Sequence, residues 1–594
     1  MAETEAQSME HLEAVRDAWA ARWEEALAHW SRFTRLQAPR WCFTEEEENE
    51  EGLTGSFAMI RLSDHAVVIS IRQIVEEKLD AFAVEVMAHE IGHHVYCPAD
   101  LTDHGRTIAR IRAGLPSKEH LAGFISNLYT DLLINDRLQR QGGLNIAGVY
   151  KALGKGATDK LWTLYMRIYE ILWRLPKKTL AAGELTDEVE FDAQLGARLI
   201  RVYGREWIDG AGRFAALCLP YLLQDEGAGM RQIMKGWFDT QNAGAGGFPA
   251  GLSEIEDEEQ TGALHPVHDP RITGVEEGDG AITSEGPGGS GRETGAGGQK
   301  KVGRYRGPKE YGDILKSLGT TLSPEEVTIR YYRERALPHL IPFPTRETTR
   351  STEPLPEGLD VWDFGSPLAN ADWFESVLKS PYIIPGMTTV QRTYGETAGM
   401  EPDREPLDLY IGIDCSGSMP NPRLRVSFPV IAGTIMALSA FRAGARVMAT
   451  LSGEPGRTVT TDAFVKEERP VMDLLTGYLG TGYAFGIHRL RPVFENRKPE
   501  DRPVHILIIT DQDIFSMLED TKEKWEGWEV AWQAVEAGRG GGTFVLHMPA
   551  HWKDKEVERM QEIGWNVFRI YDWEELIAFA REFSRKMYVP DTQA

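Results

Sequence analysis

The spacing of apolar residues changes several times along the chain, and the changes divide it. Trp19, Trp23, Leu27 and Trp30 recur at helical intervals with charges between them, which predicts a helix over 9–37 with one buried stripe. The acidic run TEEEENEEG at 44–52 predicts a solvated loop. Residues 55–76 alternate well enough for two short strands meeting at Ser63–Asp64. Helical spacing returns at 78–96, at 118–140 and in TDKLWTLYMRIYEILWRL at 158–175, and continues to about 240. From 241 to 305 Gly, Glu, Ser and Thr dominate and large apolar residues are sparse, the composition of an acidic flexible linker. Residues 306–405 regain Trp, Tyr, Leu and Pro and are expected to be a connecting region packed on the last domain. From 406 to 594 strand and helix patterns alternate, as in LDLYIGID, VHILIIT and TFVLHM between helices. That alternation predicts an α/β fold with a doubly wound, mostly parallel sheet, whose ligands bind at the carboxyl ends of strands. The expected plan is a mainly helical α+β domain at 1–240, the linker, the connecting region and the α/β domain.

Charge and cysteine usage narrow the function classes. The 594 residues carry a formal charge of −25 with a pI near 5.2, which argues against nucleic acid and against anionic membranes as partners. No run of about 18 apolar residues is present to span a bilayer. Cys42, Cys97, Cys218 and Cys415 are scattered and form no C-x-x-C pair, so reduced intracellular thiols are expected. The first residues, MAETEAQSMEHLEAV, are acidic and lack an apolar leader core, and a cytoplasmic address follows as an expectation.

Two stretches carry chemistry. The strand YIGID runs into CSGSMPNP, so that Asp414, Ser416 and Ser418 stand at alternate positions just past a strand end. One carboxylate and two hydroxyls aimed at one point are hard oxygen donors of the kind magnesium takes. Gly417 between the serines is expected to allow close backbone approach. Asp511 ends a second apolar strand, and Thr481 lies in a Gly-flanked loop, with Thr476 as a nearby rival. This D-x-S-x-S pattern resembles the von Willebrand factor A domain with its metal-ion-dependent adhesion site. The resemblance implies that Asp414, Ser416, Ser418, Thr481 and Asp511 surround Mg2+, and that an acidic side chain of a partner protein completes the coordination.

The second stretch is VMAHEIGHHVYC at 86–97, with the pattern H-E-x-x-H. On a helix it sets His89 and His93 one turn apart on one face with Glu90 beside them. Catalytic zinc needs a third protein ligand and one open position. The next helix offers Asn127 and Asp131, four apart on one face. The arrangement resembles the zinc peptidases of the gluzincin type, which implies Zn2+ on His89 and His93 and Glu90 as general base on the zinc-bound water. The gluzincin spacing puts Asn127 at the third ligand position. An amide is a poor zinc ligand, so Asp131 is expected to take that role. The strand HAVVISI at 65–71 is a candidate edge for aligning a substrate backbone, and Tyr96 and Tyr129 are candidate oxyanion donors.

Together the two motif regions resemble bacterial von Willebrand A-like metallopeptidases, which implies an intracellular zinc peptidase whose A domain recruits a partner or substrate through magnesium. Related A-domain proteins work beside a hexameric AAA+ ATPase of the MoxR type. That resemblance implies the alternative, a non-catalytic adaptor of such an ATPase with a degenerate metallopeptidase domain. A third reading is metal insertion into a cofactor, as in cobaltochelatase, which leaves H-E-x-x-H unexplained. The chain itself has no G-x-x-x-x-G-K-[ST] loop to supply the ATPase.

Overall fold

The computed structural model describes the whole chain except residues 1, 54–55, 155–157, 225–248, 257–258, 260–262, 275–304, 348–351, 399–403, 453–456, 483, 523, 550–551, 572–574, 577–578 and 580–594. The chain forms two compact units, Met1–Glu334 and Arg335–Ala594.

In the first unit the apolar stripe of the opening helix is buried, with Trp19, Trp23 and Leu27 all under a tenth exposed. The helix is shorter than its pattern suggested: α1 (Ala2–Ala20) and α2 (Trp23–Ala28) are separate, and no helix continues to 37. The acidic run is a helix as well, α3 (Glu45–Glu51). Thr44 and Glu47 form a reciprocal capping box at its start and Gly52 closes it in the left-handed region, so local capping outweighs the repulsion of the carboxylates. Glu48 turns inward, where it accepts from Ser70 Oγ at 2.5 Å and pairs with Arg72 at 2.8 Å.

A three-stranded sheet follows in the order β1 (Arg40–Cys42), β3 (Ala66–Ser70), β2 (Ala58–Arg61), with β1 parallel and β2 antiparallel to β3. The strand within HAVVISI is therefore central and bonded on both sides, so it cannot take up a further strand. The edge strands are β1 and β2. After α4 (Ile71–Glu76), α5 (Ala83–Val95) packs on β2 and on α7 (Ala122–Arg140), while α6 (Leu101–Ala113) lies against α7. Gly92 sets how closely α5 approaches: a Cβ there would stand 2.5 Å from Trp30 and 2.7 Å from Ile134 of α7. The helices α8 (Ile146–Leu153), α9 (Lys160–Leu172), α10 (Asp187–Val202) and α11 (Trp207–Gln224) complete the helical layer.

Much of the expected linker lies outside the described residues, but its described parts are packed. Asp269 is 2% exposed and accepts from Tyr203 Oη at 2.6 Å. Arg306 donates to Leu252 O at 2.8 Å and Tyr331 Oη to Arg306 O at 2.6 Å. The start of the expected connecting region also belongs to this unit. Its helix Pro308–Ser317 packs on α6, through Arg112 and Asp313 among others.

The second unit is built on a six-stranded sheet in the order β11 (Thr458–Thr460), β10 (Val447–Ser452), β9 (Asp408–Asp414), β12 (Val504–Asp511), β15 (Arg539–His547), β16 (Trp565–Ile570). All pairs are parallel except the edge pair β10–β11. β9 and β12 are buried at every position, which is why they read as continuous apolar runs. Every strand anticipated here is present. Between β11 and β12 the chain makes, among others, two short helical pieces, Ile487–Leu490 and Arg491–Phe494. Before this sheet the chain makes β4 (Thr345–Glu347), β5 (Thr352–Val361), β6 (Ala371–Asp372), β7 (Val390–Ala398) and β8 (Arg404–Pro406), strands the sequence pattern did not reveal. A two-stranded ribbon, β13 (Thr521–Lys522) and β14 (Trp525–Glu526), precedes the helix Gly527–Gly538.

Candidate metal centres

The helices α5 and α7 bring His89, His93 and Asp131 together, with one potential donor atom from each lying within 4.8 Å of the others. His93 Nδ1 lies 3.2 Å from Cys97 O, a carbonyl that only accepts, so the proton sits on Nδ1. His89 Nδ1 lies 2.8 Å from Asn135 Oδ1. The amide is oriented by its Nδ2, which donates to Tyr169 Oη at 2.9 Å and Tyr150 Oη at 3.1 Å. In neutral rings protonated at Nδ1, both Nε2 lone pairs face the centre. The two Nε2 atoms are 3.2 Å apart and stand 3.4 and 3.7 Å from Asp131 Oδ1. Three electron-rich atoms facing one another are stabilised by a cation among them. A tetrahedron with arms of about 2.0–2.1 Å has edges of about 3.3 Å, so this donor set and its spacing fit zinc.

Asn127 Nδ2 donates to Asp131 Oδ2 at 3.3 Å, so the amide holds the other carboxylate oxygen. Glu90 is 2% exposed and shares a cavity of about 40 Å³ with His89, Asn135, Tyr150 and the entrance to β2 at Ser56 and Phe57. His89 is the most accessible of the three, its side chain 13% exposed against 0% and 1% for His93 and Asp131. Neither tyrosine serves as an oxyanion donor: Tyr129 Oη donates to Trp207 O at 2.7 Å and Tyr96 Oη to Gly204 O. His94 stacks on His65 with ring centres 4.0 Å apart, away from the centre. Asn135 and the Cys97 carbonyl were not anticipated. The signal for Asn135 was the polar series Asn127, Asp131, Asn135 at intervals of four along one face of its helix.

The second set of candidates gathers where the second sheet reverses its winding. β9 is followed in sequence by its neighbour on one side and later by β12 on the other, and such switch points open a crevice at strand carboxyl ends. Asp414 ends β9 and Asp511 ends β12. Asp414 Oδ1 accepts from Ser416 N at 2.8 Å and Oδ2 from Thr510 Oγ1 at 2.8 Å, the latter another contact not anticipated. Ser416 and Ser418 hydroxyls are 2.8 Å apart, and Ser418 Oγ donates to Asp511 Oδ2 at 2.7 Å. Burial, then the nearby Asp511 charge, push the Asp414 carboxyl up to about 6 despite these bonds.

Thr481 enters through a backbone clasp: Gly417 N donates to Thr481 O at 2.6 Å and Thr481 N to Cys415 O at 3.3 Å. The buried Thr481 Oγ1 makes no hydrogen bond among the described residues. Thr476 instead donates to Met472 O at 2.8 Å at the end of its helix, so the geometry separates the rivals. Gly417 is not required by crowding, since a Cβ there would meet only Thr481 O at 3.6 Å. Buried Cys415 accepts from Leu479 N at 3.2 Å and helps hold the same loop. Carboxylates, hydroxyls and a threonine at one rim form a hard-oxygen set that fits magnesium.

No family model matches the sequence, and no curated protein matches it. Among solved structures the chain is similar to a von Willebrand factor type A protein from Catenulispora acidiphila, at 17% identity and a TM-score of 0.21, over 33% of this chain and 44% of that one. The chain thus spans less than half the length of that structure. No described helix is long and apolar enough to cross a membrane.

Proposed function

We propose that the chain is a two-centre metalloprotein. Its first unit is a zinc-dependent peptide hydrolase, and its second, a von Willebrand A-like domain, binds an acidic group of a partner protein through magnesium. The observation that carries the reading is the convergence of His89 Nε2, His93 Nε2 and Asp131 Oδ1 at 3.2–3.7 Å, with both imidazole Nδ1 positions engaged elsewhere. Zinc bound there would supply Lewis acidity toward a carbonyl and lower the pKa of water. Glu90, on the cavity wall beside His89, would accept and return the proton. Asp414, Ser416, Ser418, Thr481 and Asp511 would hold Mg2+, leaving a position for the partner's carboxylate.

One observation favours a second reading. The cavity beside Glu90 is small, about 40 Å³, room for a few waters. That suits an adaptor, for instance of a MoxR-type AAA+ ATPase, whose first unit keeps its metal for structure. Zinc-loaded parent and Glu90→Gln, incubated with a quenched fluorescent peptide library, separate the two. Cleavage by the parent alone supports the hydrolase, and equal inactivity of both moves the weight to the adaptor.

A further inference from the structure

Ahead of the second sheet, β4 pairs antiparallel with β8, and between these strands the chain makes an arm. β5 and β7 run antiparallel from Thr352↔Ala398 to Val361↔Val390, and the helix Trp373–Lys379 packs at the far end on β6 and β7. Burial in this arm is inverted. Its buried apolar side chains are Trp362, Ala371 and Val390. Of the 26 large apolar side chains that stand exposed among the described residues, 13 lie in 352–398. At the far end Phe364 is 85% exposed, Tyr382 77%, Phe374 71%, Met387 70%, and Leu368 and Leu378 65% each. Phe374 and Leu378 are four apart and share a helix face. Apolar area left in water favours cover by roughly 25 cal/mol per Å², and monomers seldom keep contiguous patches beyond roughly 300–600 Å².

Charge selects what covers it. Residues 352–398 hold seven carboxylates and two cations, a net of −5, in a chain of net −25. A second copy or an anionic membrane would meet like charge. We propose that the tip of this arm docks a different protein, one presenting an apolar groove rimmed by basic side chains.

The test titrates the full chain with two synthetic amphipathic helices, one of leucine and lysine and one of leucine and glutamate. The same titrations are run on Phe374→Ser/Leu378→Ser, whose thermal midpoint should match the parent because both side chains are exposed. The parent is expected to bind the lysine peptide about tenfold or more tighter than the glutamate peptide, and the double variant to lose about tenfold, with both chains monomeric by sedimentation. Asp414→Ala should leave this binding unchanged, which keeps it separate from the magnesium reading. Undiminished binding by the double variant would overturn the proposal. So would self-association of the parent that the variant lacks, or capture of the parent but not the variant by phosphatidylcholine vesicles.

Discussion

The two candidate centres are prepared in different ways. In the first unit the donors project from packed helices, and each is held from behind by a group outside the centre: Asn135 for His89, Cys97 O for His93, Asn127 for Asp131. The donor atoms converge without a rearrangement. In the second unit the donors sit on turns after strands and hydrogen-bond to one another, as Ser416, Ser418 and Asp511 do. A cation there must replace those bonds. The difference teaches that helix packing can pre-build a converging donor set, while strand-end turns give donors that satisfy one another; under the proposed function the first would suit zinc and the second magnesium with room for a partner.

The comparison can be broken in several ways. Asp414→Ala should have the largest effect at the second centre: magnesium-dependent binding of an acidic partner should weaken about a hundredfold or more, with zinc content unchanged, as titration with and without chelator would read. Asn135→Ala should lower zinc affinity about 10–100-fold by releasing the His89 ring, measured by competition with a zinc indicator; no loss would mean that the amide does not orient the ligand. Glycines provide a sharper contrast. Gly92→Ala should destabilise the first unit by about 1–3 kcal/mol, because its methyl would press on Trp30 and Ile134, whereas Gly417→Ala should leave the melting temperature nearly unchanged.

Acid should distinguish the units least. Burial lowers His104 in the first unit and His505 in the second to about 4 each. Their unfolded counterparts take up protons at about 6.5. Stability from both is therefore full above about 6.5 and lost as pH falls toward 4, and denaturant midpoints should decline together over that window.

What the sequence made visible follows from the strength of local periodicity. The strands Asp408–Asp414 and Val504–Asp511 are buried on both faces, and their apolar runs announced them. The H-E-x-x-H helix and its partner were equally plain. Three features were not. The capped helix Glu45–Glu51 was hidden by its charge, although its Thr44-x-x-Glu47 signal was present. The central place of Ala66–Ser70 depends on Arg40–Cys42, a strand too short to show a period. The arm from 352 to 398 was obscured because its apolar side chains point to solvent, which defeats the rule linking alternation to a buried face. At the sites, the candidate donors were readable from motif and spacing, while the groups that hydrogen-bond to them from behind, Asn135 and Thr510, depend on contacts between elements.

Elemental analysis of the purified chain, alongside Glu90→Gln and Asp131→Ala, tests the central claim most directly. One tightly held zinc per chain in the parent and in Glu90→Gln, absent from Asp131→Ala, is the predicted result. A parent without zinc, or an Asp131→Ala variant that retains it in full, would contradict the assignment of His89, His93 and Asp131 as its ligands.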